Sequence, residues 1–172
     1  MLQTYDPYFR QVEYALSDAT RKQLLEIAFA PGAFVDISYK ISFFKLPSTI
    51  QHFNTTGLNC VCQMLRVTEQ GSKIHKDRNR YNEYENIYMP RTAVINFPLM
   101  PTTSKTNFYD DDEKFVCSVG YDNCGAILNT GGKLHNVDYT DSTPRIVFQL
   151  CFEESYEELC RIYDKHLKGL VL

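Results

Sequence analysis

From Thr92 to Phe152 the chain is a succession of short β-patterned runs, each stopped by turn formers. The runs are Thr92 to Leu99, Thr106 to Asp110, Lys114 to Tyr121, Ala126 to Asn129 and Arg145 to Phe152. Between them stand Pro98, Pro101, Asp110-Asp111-Asp112, Asp122-Asn123, Gly131-Gly132 and Asp141-Ser142. Strands this short, evenly spaced and separated by residues that favour tight reversals, predict a barrel or a sandwich. Upstream, Cys60 to Val67 alternates in the same way. Ala33 to Leu46 carries Phe34, Val35, Ile37, Tyr39, Ile41, Phe43 and Phe44 before Pro47 stops it, so it adds one or two strands.

Helical patterns flank the strands. Ser17 or Asp18 can cap Ala19 to Ala28, whose Leu24, Leu25, Ile27 and Ala28 form an apolar stripe ended by Pro31-Gly32. Glu153 to Lys168 sets Tyr156, Leu159, Cys160, Tyr163 and Leu167 at helical spacing. Residues 1 to 16 read as an irregular arm or a short helical turn, Ser48 to Leu58 as loop or short helix, and Asp77 to Pro90 as a rim loop. The expectation is one mainly β domain over residues 1–172, with the barrel core roughly at 33–152 and helices roughly at 18–30 and 153–168.

A chain of 172 residues with 12 Tyr, 11 Phe and no Trp is suited to such a core. Its net charge of -3 and pI near 5.8 create no attraction for phosphate backbones or anionic lipid, so no nucleic-acid and no membrane partner is expected. The start Met1-Leu2-Gln3-Thr4-Tyr5-Asp6-Pro7 lacks the pattern of a secretory signal, and no apolar run approaches about 18 residues. A cytoplasmic, intracellular protein with mostly buried thiols is therefore expected.

The chemistry concentrates in Ile74-His75-Lys76-Asp77. Residues two apart on an extended segment share a face, so His75 and Asp77 can present two metal ligands together. His135, returned by later strands, completes a two-histidine, one-carboxylate facial set that suits ferrous iron and leaves positions open. Arg145 begins the last strand and shares a face with Val147 and Gln149. A chelating 2-oxo acid needs a fixed cation for its far carboxylate, and arginine supplies a permanent charge in a two-pronged fork.

This arrangement resembles the 2-oxoglutarate- and iron(II)-dependent oxygenases, which carry H-x-D, a distal H and an R about ten residues beyond it. The resemblance covers roughly residues 60 to 152 and takes in Gly71 and the run Ala93-Val94-Ile95-Asn96-Phe97-Pro98-Leu99. It is with the small prolyl-hydroxylase-like and asparaginyl/aspartyl-hydroxylase-like members of viral and bacterial type. The likeness implies a double-stranded β-helix, the jelly-roll or cupin-like barrel. It also implies Fe(II) on His75, Asp77 and His135, 2-oxoglutarate anchored by Arg145, O2 as oxidant, and ascorbate as a reductant in vitro. The substrate implied is a small molecule or a protein or peptide, hydroxylated at a C–H of a peptidyl or free amino-acid side chain. In prolyl-hydroxylase-like members a tyrosine often precedes the glycine turn, whereas Val67 stands here, which leaves Asn96, Tyr88 or Tyr109 to add a second contact to the cosubstrate carboxylate.

Two rival readings keep the barrel. A cupin-like metal-dependent isomerase or hydrolase has no need of Arg145, and a non-catalytic binding module needs neither the arginine nor the ligands. Elsewhere the bland reading prevails. Cys60-Val61-Cys62 has no second pair at zinc spacing, and Asp110-Asp111-Asp112-Glu113 lacks a calcium loop's glycine pattern. His52 and His166 read as structural or solvated. Lys73, Lys76, Arg78, Arg80 and Arg91 gather near the motif, but Asp77, Glu83 and Glu85 offset them.

Overall fold

The computed structural model describes residues 1–31, 60–67, 71–82, 87–139 and 144–171. The strand expected over 33–46, the segment over 48–58 and His52 lie outside the described residues. The described elements run β1 (Thr4–Tyr5), β2 (Phe9–Glu13), α1 (Asp18–Ala28), β3 (Cys60–Val67), β4 (Arg80–Asn82), β5 (Ile87–Met89) and β6 (Ala93–Pro98). They continue through β7 (Lys105–Tyr109), β8 (Phe115–Val119), β9 (Cys124–Leu128), β10 (Leu134–Asp138), β11 (Arg145–Phe152) and α2 (Tyr156–Ile162), and end in a π-helical turn, Tyr163–Leu167. The protein is thus mainly antiparallel β-sheet with two short helices.

A larger sheet has the order β1-β2-β9-β6-β11-β3, a smaller one β10-β7-β8, and β4 with β5 makes a separate hairpin. Strand β11 explains how the layers are arranged. It is flanked by β6 and β3 and is buried along its whole length, which suits its near-continuous apolar run. Its alternate residues Ile146, Phe148, Leu150 and Phe152 join Leu24, Ala28, Tyr156 and Leu159 of the two helices in one core cluster. Each such fully buried side chain contributes about 1.5–3 kcal/mol. The opposite face carries Cys151, which packs with Phe108, Cys117 and Val119 of the smaller sheet in a second cluster. Arg145 and Gln149 belong to that same face by the two-residue period. The larger sheet therefore has helices on one side and the smaller sheet on the other, and its polar residues point between the two sheets.

Local capping decides where the helices begin. Ser17 accepts from the Thr20 amide, so α1 starts at Asp18 as expected. Ser155 does the same for Glu158, and the second helix starts at Tyr156 rather than at Glu153.

The N-terminal region departs from the expected irregular arm. Phe9–Glu13 pairs with Cys124–Leu128 and extends the larger sheet, with Phe9 and Val12 buried. Arg10 grips Asp164 through both terminal nitrogens, at 2.8 and 2.6 Å, and Tyr156 donates to Asp6. Those partners are more than a hundred residues away, so local pattern carries no trace of them. The stretch read as a rim loop after Asp77 contains the β4–β5 hairpin, and Leu134–Asp138, not assigned a strand from sequence, pairs with β7. Among the described residues no helix is long and apolar enough to cross a membrane.

Candidate metal centre

Close backbone approach creates the site. A Cβ on Gly71 would lie 2.0 Å from the Val137 carbonyl oxygen, so only glycine lets this segment lie against β10. Ser72 then secures the contact in both directions, its amide donating to the Val137 carbonyl at 3.1 Å and its hydroxyl accepting from the Val137 amide at 2.8 Å. Three residues on, His75 and His135 exchange backbone hydrogen bonds of 3.0 and 2.9 Å as directly opposed antiparallel residues. Opposed residues project to the same face. The Asp77 amide closes the run on the Thr130 carbonyl at 2.9 Å. Replacing Gly71 with alanine should cost about 1–3 kcal/mol of stability, typical of overpacking, and lower metal affinity as the His75 segment lifts off. Chemical denaturation and metal titration of the variant check both effects.

The three side chains converge. The His75 and His135 ring centroids are 4.4 Å apart, His75 Nε2 lies 3.6 Å from Asp77 Oδ1, and His135 Nε2 lies 4.0 Å from Asp77 Oδ2. One ligand atom from each residue falls within 4.8 Å of the others. Each Nδ1 faces a carbonyl two residues back, Lys73 at 2.7 Å for His75 and Lys133 at 3.2 Å for His135. A carbonyl only accepts, so both Nδ1 atoms carry a proton, and both Nε2 atoms are turned toward the Asp77 carboxylate.

Electrostatics favours the ligand form, an ionised carboxylate and a neutral imidazole, at Asp77 and His135 but not at His75. Burial opposes the Asp77 carboxylate, but Arg91 and then the two histidines outweigh it and hold the carboxyl well below the usual range. Burial pushes His135 down to about 4, which keeps the imidazole neutral. The Asp77 carboxylate accepts from the His75 imidazole and so raises it, and His75, the more exposed of the two, gives up that proton on binding a metal. Two neutral imidazoles and a carboxylate are a donor set that fits ferrous iron.

Two arginines frame these three side chains. Arg91, 8% exposed, places Nη2 3.0 Å from Asp77 Oδ2, while its amide donates to Asn79 Oδ1 at 2.7 Å. Sequence reading counted it only among the charges near the motif, since the pairing depends on the β4–β5 hairpin bringing the chain back. Arg145 is 3% exposed. Its Nη2 donates to Thr106 Oγ1 at 3.3 Å and its guanidinium lies over the Tyr121 ring at 5.2 Å, yet Nε and Nη1 are buried without a partner. No carboxylate among the described residues pairs with it. A buried cation with two unused donors fits an incoming anion.

Strand register relates Arg145 to the three side chains. His135 pairs with Phe108 on β7, and Thr106, which receives the Arg145 bond, is two residues along the same face, a step of about 7 Å. A buried hydrogen-bond chain leads away from that point. Tyr121 and Thr106 share a bond of 3.2 Å, and Asn96 Nδ2 donates to Tyr121 at 3.2 Å. Gln149 Nε2 donates to Asn96 at 2.7 Å and Gln63 donates to Gln149.

Asn96 therefore reaches the arginine through Tyr121 and Thr106 rather than directly. Tyr109 occupies the other alternation of β7 from buried Thr106 and Phe108, bonds Asn136 at 3.2 Å and packs on Phe115. Tyr88 is exposed on the β4–β5 hairpin, and His166 is exposed in the π-helical turn. The hydroxyls beside Arg145 are those of Thr106 and Tyr121, neither of them singled out from sequence. Thr106 carries one detectable signal, the same strand alternation that buries Phe108.

No protein-family profile matches the chain, and no curated protein matches it in sequence. Solved structures do match. One is a Pseudomonas putida prolyl-4-hydroxylase, at a TM-score of 0.56 and 14% identity over 84% of this chain and 91% of that one. Another is the viral collagen prolyl hydroxylase of Paramecium bursaria Chlorella virus-1, solved as its 2OG complex, at a TM-score of 0.54 and 15% identity over 84% of this chain and 95% of that one. At such identity the likeness is one of fold.

Proposed function

We propose that this chain is a non-haem iron(II), 2-oxoglutarate-dependent oxygenase built as a single double-stranded β-helix domain. His75, Asp77 and His135 hold the iron, and Arg145 holds the far carboxylate of 2-oxoglutarate. The observation that carries the reading is the buried Arg145, with two unpartnered donors and one bond to Thr106, two residues along β7 from the partner of His135. A cupin-like isomerase or hydrolase leaves that cation without purpose.

In this reading, bound iron and 2-oxoglutarate would supply O2 activation: the 2-oxo acid would give two electrons and take one oxygen atom as it becomes succinate and carbon dioxide, and the substrate C–H would give the other two and take the second oxygen atom. The chain's own groups set the geometry. The Lys73 and Lys133 carbonyls orient the imidazoles, Arg91 keeps Asp77 ionised, and Arg145 fixes the cosubstrate's direction with Thr106 and Tyr121 as neutral hydroxyl neighbours. The names of both structural neighbours, prolyl hydroxylases, support hydroxylation of a peptide or amino-acid side chain.

Purified protein supplied with Fe(II), ascorbate and 2-oxoglutarate should bind both ligands and form succinate slowly with uptake of O2. Failure to bind Fe(II) or 2-oxoglutarate overturns the reading.

A further inference from the structure

The contact between Arg91 and Asp77 does more than neutralise charge. Both side chains are buried, at 9% and 7% exposure, and the guanidinium lies 3.0 Å from Oδ2 alone. Oδ1 has no contact with the guanidinium among the ion pairs and lies 3.6 Å from His75 Nε2, while Oδ2 itself lies 4.0 Å from His135 Nε2. A divalent ion drawn to both oxygens at once would press against the guanidinium, whereas an ion on Oδ1 would not. The pairing is held from outside the carboxylate as well, because Asn79 Oδ1 accepts the Arg91 amide hydrogen at 2.7 Å and so fixes the backbone from which the side chain reaches. Asn79 and Arg91 also stand on either side of the β4–β5 hairpin, Arg80 to Met89, so the hairpin's closure delivers the arginine to its post.

Building on the metal reading above, we infer that Arg91 is a positioning residue that restricts Asp77 to ligation through one oxygen and so preserves a third open position on the metal. A six-coordinate ion held by two histidines and one carboxylate oxygen keeps three exchangeable positions, and a carboxylate that closes with both oxygens removes one. A chelating cosubstrate fills two positions, so the third is the one that Arg91 protects. Buried Asp77 has no other cation among the ion pairs of the described residues apart from its two fellow ligands.

The test counts water on the metal rather than turnover. Mn(II), which takes similar oxygen and imidazole ligands, is titrated into the full chain and its bound waters are measured by water-proton relaxation. The parent protein is expected to hold three waters per Mn(II), and the Arg91→Gln variant two, a fall in inner-sphere relaxivity of about a third. A parent count of two overturns the proposal without any variant, and so does an unchanged count in Arg91→Gln with Mn(II) still bound. A parent protein that binds no Mn(II) at all overturns the metal reading, and this proposal with it.

Discussion

Replacing His135 with alanine should weaken Fe(II) binding by more than about a hundredfold, because loss of a partner outside the ligands alone already costs 10–100-fold. The fold should survive. The backbone bonds of residue 135 to His75 do not involve the side chain, and the β10–β7 register continues on either side of it. The variant also has a distinctive pH signature. Burial holds the His135 imidazole at about 4 in the folded protein, against about 6.5 for an unhindered histidine. Between those two values the unfolded parent chain binds a proton that the metal-free folded chain refuses, so the fold loses stability as pH falls through that window. The alanine variant has no such proton to gain. Its stability relative to the parent should therefore rise on going from neutral pH to about 5, measured by urea denaturation of metal-free protein. A constant difference across that range would contradict the buried, neutral imidazole.

Substituting lysine for Arg145 should lower 2-oxoglutarate affinity by about ten- to a hundredfold while leaving Fe(II) affinity unchanged. Lysine keeps the charge but replaces a planar fork with a single point of contact, and hydrogen bonds to charged groups are worth about 1.5–3 kcal/mol. The environment makes the choice of residue matter. Nε and Nη1 are the unpartnered atoms, and the Thr106 bond and the Tyr121 ring hold the guanidinium plane in place to present them. An ammonium at the same position would lose the ring contact's planar match as well as the fork. Calorimetric titration of 2-oxoglutarate into the metal-loaded variant separates this effect from metal loss, and equal affinity for parent and variant would count against Arg145 as the carboxylate anchor.

Much of this arrangement can be read along the chain because it is local. Alternation in Arg145–Phe152 and Cys60–Val67 gives both strands their observed bounds, and the pairing of Ser17 with Thr20 starts the first helix where the capping rule puts it. His75 and Asp77 share a face through spacing alone. What escaped local reading depends on distant partners. The strand Phe9–Glu13 exists because β9 receives it, and Leu134–Asp138 because β7 and the Gly71–His75 segment lie on either side of it. The tyrosine that lies over Arg145 is Tyr121, just after β8, and neither Tyr88 nor Tyr109 holds that place, since Tyr88 stays exposed and Tyr109 bonds Asn136.

By itself, then, the sequence determined the types of the candidate ligands, their order along the chain and the mainly β character of the fold, because residue chemistry and two-residue periodicity are properties of short stretches. Only the tertiary structure decided that His75 and His135 oppose each other across a backbone bridge, that Gly71 must be bare to permit it, and that Arg91 reaches Asp77. Those contacts join segments separated by turns and whole strands. They arise when sheets close and burial removes water from between the partners, and no local pattern of residues carries that information.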